Sequence, residues 1–345
     1  MNYKFLNSSQ KAWTAMFEGI SSARKSIYLE MYIFREDMID FDFLKLLKEK
    51  AKSGLDVKII LDSVGSGAIS KKTILELREA GIELFFLSYF MHRTHRKILI
   101  VDETIAFVGG VNLHQGASLW DDLVVEIRGR LLPPITRSFA KVYKECGGKD
   151  VKLISIISDE KILKDKMRTW VIEHFPVSNK FNLKNIYKEN LSKAEVNITL
   201  ATPYFMPRRW LIGLLHQAVL RGVTVDVLVP KSTDYYLIDR VNYFFIYKLS
   251  KLGVNFYFKN NMNHAKLMII DAREAIVGSN NLDYLSFELN SEVGIFFKDI
   301  NVIRKLTKIV EEWKKDSTLF DHKIEKPKLF DYILSPVISI FNRIL

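Results

Sequence analysis

Residues 95–112 read HRKILIVDETIAFVGGVN, and residues 264–281 read HAKLMIIDAREAIVGSNN. In both stretches the histidine is followed by lysine at +2, aspartate at +7, glycine at +14 and asparagine at +17. One histidine–lysine pair would be typical of an ordinary protein surface, whereas two copies with matched offsets indicate a duplicated unit. The sequence therefore predicts two similar halves, each carrying one copy of the motif.

The histidine–lysine spacing predicts a pocket for phosphate. On a strand, residues i and i+2 point to the same face, so each histidine and its lysine are expected to enter one pocket. The pairs are His95 with Lys97 and His264 with Lys266. Lysine supplies a positive charge for a phosphate oxygen, and histidine can act near neutral pH as a nucleophile or an acid. Two facing copies predict one composite site, in which one histidine attacks phosphorus and the other protonates the leaving oxygen.

The glycine turn of each motif leads to further candidates for binding phosphate. Asn112 and Asn281 follow this turn and are expected to donate amide hydrogens to the phosphate. The second copy has Ser279 where the first has Gly110, and Ser279 is a third candidate. This mismatch would make the two half-sites chemically unequal.

Four acidic residues receive two different predictions. Asp102 and Asp271 belong to the motif, but they lie five residues beyond each lysine and are expected to tie down a turn. A carboxylate is also needed to orient each histidine and to set its tautomer. Asp122 in the first half and Glu292 in the second are the candidates, 27 and 28 residues after the histidine of their own half. A lysine beside each histidine is a poor neighbour for a cation, so no metal is expected.

The remaining pattern predicts an α/β fold. Strand-like runs at residues 26–34 and 196–205 are each followed by a helix, a glycine and a second strand. This alternation is typical of parallel or mixed sheets covered by helices, and we expect two such sandwich halves to share one active site. The predicted units are a first half at 1–150, a second half at 151–320 and an amphipathic tail at 321–345.

Composition limits the class of partner without choosing it. The chain has 345 residues and a net charge of 51 − 40 = +11. A basic surface favours a polyanionic partner, either nucleic acid or an anionic membrane. The single cysteine, Cys146, excludes an internal disulfide. No run of 18 apolar residues is present, so no membrane span is predicted and any membrane contact is expected at the surface.

Five residues near the predicted strand ends are candidates for lining the pocket or binding a headgroup. Glu30 and Tyr32 share a strand face and are expected to reach the pocket, and Tyr204 ends the corresponding strand of the second half. Arg208 and Arg209 follow it and suit phosphate headgroups, although they also fit a solvated first turn of a helix.

The segment 329–345 is apolar at helical spacing and is flanked by lysines. Two interpretations stay open for it: contact with a membrane interface, or packing on its own domain.

Four short stretches resemble the phospholipase D superfamily and, within it, the short bacterial cardiolipin synthases that lack two N-terminal membrane spans. They are EMYIFRED (30–37), FVGGVN (107–112), TPYFMP (202–207) and GSNNLD (278–283). The resemblance implies transfer of a phosphatidyl group from one phosphatidylglycerol to another through a phosphohistidine, which yields cardiolipin and glycerol. It implies His95 as the nucleophile and His264 as the acid and base.

Two fused copies of the motif, aromatic-rich apolar stretches and the apolar tail favour an anionic phospholipid surface over nucleic acid as the partner, and no cofactor is expected. The resemblance implies a peripheral location at the cytoplasmic face of the bacterial inner membrane. Three alternatives stay open: a hydrolytic phospholipase D with water as the acceptor, a nuclease, and a catalytically inactive binding module. Nothing in the sequence predicts the oligomeric state.

Overall fold

The computed structural model describes residues 2–87, 93–158, 168–176 and 182–327. Among these residues the strands form two mixed sheets. The first sheet consists of β1 (Asn2–Leu6), β2 (Ser26–Met31), β3 (Asp56–Asp62), β4 (Glu83–Leu87), β5 (Ile98–Val101), β6 (Ile105–Gly109) and β7 (Val124–Arg128). The second consists of β8 (Thr169–His174), β9 (Asn197–Ala201), β10 (Thr224–Pro230), β11 (Asn255–Lys259), β12 (Leu267–Ile270), β13 (Glu274–Gly278), β14 (Glu292–Phe297) and β15 (Ser317–Leu319).

The helices cover the sheets. They begin with α1 (Ser9–Ser22), α2 (Phe43–Lys52), α3 (Lys71–Glu79), α4 (Leu132–Glu145) and α5 (Val151–Ser155). They continue with α6 (Asn182–Lys193), α7 (Arg209–Leu220), α8 (Tyr236–Ser250), α9 (Tyr284–Glu288) and α10 (Ile300–Lys315). Short 3₁₀ turns lie at Gln115–Ala117 and Ile156–Ser158.

The two sheets repeat one topology. Their strand orders are β1-β7-β6-β5-β2-β3-β4 and β15-β11-β10-β9-β12-β13-β14-β8. In the first, β2, β3 and β4 run parallel, and β5, β6 and β7 continue antiparallel from β2. In the second, β9, β10 and β11 run parallel, and β12, β13 and β14 continue antiparallel from β9. The predicted α/β class and the duplication of a mixed sheet are therefore confirmed.

The turn between each helix and the next parallel strand follows from a glycine. Gly54 lies just after α2 with φ +92°, and Gly222 lies just after α7 with φ +84°. Glycine adopts this left-handed conformation without a Cβ clash, so it ends the helix and redirects the chain into β3 or β10.

Buried side chains form three layers. One layer packs α1, α2 and α3 against the first sheet, and another packs α6, α7 and α8 against the second. The third lies between the sheets, where Ile98 and Phe139 of the first half share a cluster with Ile269 and Trp313 of the second. Because this central layer draws on both halves, it holds the two sheets together at the predicted site.

The strands of the first sheet end at Arg128 and those of the second begin at Thr169, on either side of the predicted division at residues 150 and 151. That division stays a prediction, and the predicted tail contact at 329–345 lies outside the described residues. Within the described part of the chain, every helix is too short or too polar to cross a bilayer.

Candidate active site

The two motif segments meet through backbone hydrogen bonds between the halves. The amide of His95 donates to the carbonyl of Ser291 at 3.0 Å, and the amide of His264 donates to the carbonyl of Asp121 at 2.7 Å. The lysines of the motif directly precede β5 and β12, so each histidine stands at the N-terminal end of its strand. The packing of the halves therefore brings the two histidine segments into one site.

The orienting carboxylates pair with the histidines across the halves. His95 Nδ1 lies 3.0 Å from Glu292 Oε1, and His264 Nδ1 lies 2.8 Å from Asp122 Oδ2. Asp122 and Glu292 therefore do contact the histidines, but the expected pairing within a half is wrong. The reason is that each histidine segment forms backbone hydrogen bonds with the other half. Ser291 and Asp121 accept these hydrogen bonds and directly precede Glu292 and Asp122.

A carboxylate at Nδ1 leaves Nε2 as the reactive atom of each ring. In the tautomer that this contact favours, Nδ1–H donates to the carboxylate and Nε2 keeps its lone pair. Burial lowers the pKa of His95 to about 4, although the neighbouring Glu292 opposes the shift. Burial, with Lys266 and Lys97 nearby, also lowers the pKa of His264 well below its usual value. Both rings are therefore neutral near pH 7 in the free protein.

Each lysine of the motif is buried and bonds to the backbone of its own histidine. Lys97 Nζ and Lys266 Nζ each donate to the carbonyl oxygen of the preceding motif histidine at 2.6 Å. Lys266 Nζ also lies 2.9 Å from Nε2 of His264. Burial lowers the pKa of Lys97 strongly and that of Lys266 to about 8. A phosphate bound between them would add negative charge and favour both ammonium forms, so the site suits an anion.

Aromatic rings line the site beside each histidine. The ring centroid of Tyr32 lies 4.8 Å from that of His95, and the Tyr204 ring lies 6.3 Å from His264. The sequence pointed to both tyrosines. It missed Trp120, whose ring lies 5.3 Å from His264, although the position two residues before Asp122 could have indicated it.

His114 is a second residue that sequence reasoning left aside. Its ring packs against Trp120 with a centroid distance of 5.4 Å, so it extends the aromatic wall on the His264 side. Burial lowers its pKa, so it is a neutral ring at pH 7. Its place two residues after Asn112 was the signal in the sequence.

The asparagines of the motif are buried at the base of the site. The Asn112 side chain accepts a hydrogen bond from the amide of Ile33 at 3.3 Å. The Asn281 side chain bonds to Asp283, and its Oδ1 is buried without a hydrogen-bond partner. Their predicted role in binding phosphate stays a prediction.

Ser279 lies behind His95. Its hydroxyl donates to Glu292 and accepts from the amide of Val293 at 3.1 Å. It therefore stabilises the carboxylate that contacts His95, and its predicted role in binding phosphate stays a prediction.

Gly110, the counterpart of Ser279, leaves room for the other carboxylate. A Cβ at Gly110 would lie 2.3 Å from Asp122 Oδ1 and 3.1 Å from the carbonyl oxygen of His264. Any side chain there would displace Asp122. The one mismatch between the motifs thus reflects two different supports for the two histidines.

The aspartates of the motif lie outside the site, as the sequence indicated. Asp102 accepts from the backbone amides of residues 24–26 at 2.7 to 3.2 Å, and Asp271 does the same with residues 195–197 at 2.7 to 3.3 Å. Each has φ near +50° just after β5 or β12, at the opposite end of the strand from the histidine. Burial raises their pKa values, but the amide hydrogen bonds outweigh it and the net shift is downward.

Glu30 lies under the site rather than in it. It is fully buried, accepts from Thr94 Oγ1 at 2.6 Å and pairs with Arg96 at 3.2 Å. The expectation that it reaches the pocket is wrong, because β2 is buried on both faces and Glu30 points into the layer between the sheets. Burial raises its pKa.

The two arginines after the second tyrosine lie at the start of α7. The Arg208 guanidinium is 4.6 Å from the ring of Tyr284, and Arg209 lines a shallow surface groove with Lys188 and Trp210. Their predicted contact with a headgroup stays a prediction.

Two mixed β-sheets that are flanked by helices and share one site of two histidines define a phospholipase D-like protein. A family model described as "Cardiolipin synthase, PLD-like domain" matches residues 16–146 and 187–314, one block in each half. The chain belongs to this family of phospholipase D-like cardiolipin synthases.

Relatives by sequence carry the same name. The chain is 30% identical over 338 residues to a cardiolipin synthase of Geobacillus sp. (strain WCH70), covering 93% of this chain and 67% of that one. It is 28% identical over 333 residues to the probable cardiolipin synthase YwiE of Bacillus subtilis (strain 168), covering 92% and 66%. The chain therefore spans about two thirds of the length of these relatives.

Solved structures share the fold at low sequence identity. Phosphatidylserine synthase of Haemophilus influenzae Rd KW20 aligns with a TM-score of 0.78 at 16% identity, covering 99% of this chain and 93% of that one. Polyphosphate kinase of Porphyromonas gingivalis aligns with a TM-score of 0.65 at 14% identity, covering 100% and 54%.

Proposed function

We propose that this protein transfers a phosphatidyl group from one phosphatidylglycerol to another through a phosphohistidine. The products are cardiolipin and glycerol. The observation that carries the proposal is the crosswise pairing, in which each half supplies the carboxylate that orients the other half's histidine. Such a site has two reactive Nε2 atoms, which is what a double displacement at one phosphorus requires.

The first displacement forms the covalent intermediate. His95 Nε2 attacks phosphorus, and the bond between phosphorus and the glycerol oxygen breaks. The Asp122–His264 pair holds one extra proton, which His264 carries on Nε2 and donates to that oxygen, so glycerol leaves as a neutral alcohol. Lys97 and Lys266 balance the charge on the phosphate oxygens in the transition state.

The second displacement uses the same residues in reverse. The terminal hydroxyl of a second phosphatidylglycerol gives its proton to His264, and its oxygen attacks the phosphohistidine. The phosphorus–nitrogen bond breaks, which restores neutral His95 and releases cardiolipin.

The unequal supports favour His95 as the nucleophile. Ser279 and His95 both hydrogen-bond to Glu292, and although burial raises the pKa of this carboxyl, these contacts make the net shift downward. Burial raises the pKa of Asp122 to about 7, so the Asp122–His264 pair takes up an extra proton more readily. An ionised carboxylate suits a nucleophile, and a pair that can hold a proton suits an acid.

Two further observations favour a lipid substrate. The chain carries a net charge of +11, which suits an anionic surface, and its relatives bear the name cardiolipin synthase. We therefore propose an anionic phospholipid membrane as the partner and a peripheral position at the cytoplasmic face of the bacterial inner membrane.

Phosphatidylglycerol vesicles test the proposal. The purified protein is incubated with the vesicles, and the lipids are separated; cardiolipin and glycerol in equal amounts are expected. Phosphatidic acid in place of cardiolipin would make the protein a hydrolytic phospholipase D. Cleavage of DNA without any lipid product would overturn the lipid assignment and favour the nuclease.

A further inference from the structure

Several exposed apolar side chains lie in segments that adjoin residues of the composite site. They are Leu119 (84% exposed), Tyr235 (54%), Tyr236 (71%), Leu237 (57%), Leu285 (44%) and Ile39 (79%). This set is named the rim below.

The segment Tyr235–Leu237 adjoins Tyr204 on the His264 side of the site. The Tyr235 ring is 6.5 Å from Tyr204, which in turn packs near His264. An exposed tyrosine therefore lies next to an aromatic residue of the His264 half-site.

The other rim residues are tied to the site by short connections. Leu119 precedes Trp120, whose ring packs on His264. Leu285 lies in α9, whose N-cap residue Asp283 bonds to Asn281.

Ile39 continues the rim on the side of the first half. Its amide donates to Gln115 Oε1 at 3.0 Å, and Gln115 follows His114 in the aromatic wall of the site.

We propose that the rim is the surface by which the protein docks on an anionic phospholipid bilayer, with the site entrance facing the lipid headgroups. This inference rests on the proposed function, because a lipid substrate must enter from the bilayer. Exposed leucine and isoleucine side chains gain from leaving water, and tyrosine suits the level of the headgroups. The net charge of +11 adds attraction to anionic lipid.

The same chain offers a matched control for the rim. Leu220 is 73% exposed and lies at the end of α7, before the N-terminal end of β10. The rim residues Tyr235–Leu237 follow the C-terminal end of the same strand. Leu220→Gln therefore removes a leucine of comparable exposure near the opposite end of the same strand.

Binding of the full chain to vesicles of phosphatidylglycerol and phosphatidylcholine tests the rim by sedimentation. Each substitution that removes a rim leucine from the bilayer should weaken binding of the protein to vesicles by about tenfold. The double variant Leu119→Gln/Leu237→Gln should therefore weaken it by about 100-fold, while Leu220→Gln stays within twofold of wild type. Equal binding by wild type and the double variant, or an equal loss in Leu220→Gln, would overturn the proposal.

Turnover separates docking from chemistry. With a short-chain phosphatidylglycerol below its micellar concentration, the double variant should keep its rate within threefold of wild type, while its rate on vesicles falls. An equal fall on both substrates would contradict a docking role. Absence of turnover by wild type on either substrate would refute the proposed transferase, and vesicle sedimentation would still decide the docking surface.

Light scattering distinguishes a bilayer from a second copy of the chain. The rim proposal predicts the same mass for wild type and the double variant. A wild-type dimer that the double variant loses, with vesicle binding unchanged, would assign the rim to self-association and overturn the proposal.

Discussion

The two half-sites use the same residues for reaction and different residues for support. His95 is held by Glu292, which also accepts a hydrogen bond from Ser279. His264 is held by Asp122, which faces Gly110. A shorter carboxylate next to a glycine and a longer one next to a serine fill corresponding positions. The two halves therefore share their reactive residues and differ in the residues that support the histidines.

This difference has an electrostatic consequence. Ser279 and His95 help to keep the Glu292 carboxyl ionised, whereas burial raises the pKa of Asp122 to about 7. A site with two identical supports would let either histidine attack. Two unequal supports favour one histidine for attack and the other for proton transfer.

Removal of either histidine should have the largest effect. His95→Ala and His264→Ala should each lower kcat by about 10⁴-fold or more, because the two rings act as one unit. Initial rates on phosphatidylglycerol vesicles measure this. His216→Ala, at a half-buried histidine in α7, is the control and should keep the wild-type rate. Wild-type activity in either site variant would refute the shared site.

Neutral replacements of the carboxylates should have the next largest effect. Glu292→Gln and Asp122→Asn should lower kcat by about 10³-fold, because an amide does not fix the reactive tautomer. Both variants impair the first displacement, because attack by His95 and release of glycerol occur together. A phosphatidyl ester of 4-nitrophenol, whose leaving group needs no proton, should restore the first turnover of Asp122→Asn but not that of Glu292→Gln. The burst of nitrophenol in single-turnover experiments measures this, and equal bursts in the two variants would contradict the division of roles.

Substitutions at Gly110 and Ser279, which differ between the half-sites, should have the third largest effect. Gly110→Ala should lower kcat by about 100-fold, since its Cβ would lie 2.3 Å from Asp122 Oδ1 and shift His264. Ser279→Ala should cost about tenfold, because Glu292 loses one donor. Gly213→Ala in α7 meets nothing within 4 Å and is the control. If Gly110→Ala has the same kcat as Gly213→Ala, the glycine is not required to make room for Asp122.

The pH profile of kcat/KM should be bell-shaped. His95 must be neutral to attack, and this form is lost as pH falls through about 4, the pKa that burial gives it. The Asp122–His264 pair must hold a proton, which is lost as pH rises through about 7, the pKa to which burial raises Asp122. Asp122→Asn should remove or move the alkaline limb. If the alkaline limb is unchanged in Asp122→Asn, that limb does not arise from the titration of Asp122.

The motif aspartates should matter for stability and little for rate, equally in both halves. Asp102→Ala and Asp271→Ala each remove amide contacts of a turn and should lower the free energy of unfolding by about 1–3 kcal/mol. Denaturant melts measure this, with kcat per folded molecule near wild type. Because both pKa values are lowered, this stabilisation should fade as pH falls below about 4.

The features of the fold and the site that could be predicted are those that depend on residues close together in the sequence. The matched offsets predicted that each histidine and its lysine belong to one site, although both residues precede the strand and do not lie on its face. The glycines at 54 and 222 follow the helices where the pattern indicated. The crosswise pairing could not be predicted, because it depends on how the halves pack. The contact between Ser279 and Glu292 could not be predicted either, because nothing in the sequence places the two side chains together.

Glu30 and Trp120 illustrate the same limit. An acid on an apolar strand indicated a pocket, yet Glu30 is buried against Arg96 and Thr94 in the layer between the sheets. Trp120 lies in a loop without periodicity, and only the approach of the second half places it on His264. Contacts that cross between the halves are therefore the part of the site that the sequence left open.

Mapping the covalent intermediate tests the division of roles most directly. The protein is mixed with phosphatidylglycerol, quenched in alkali within one turnover and digested for mass spectrometry. We predict the phosphatidyl group on the peptide that contains His95, in wild type and in Ser279→Ala. A modified peptide containing His264, or turnover without any modified histidine, would contradict the account.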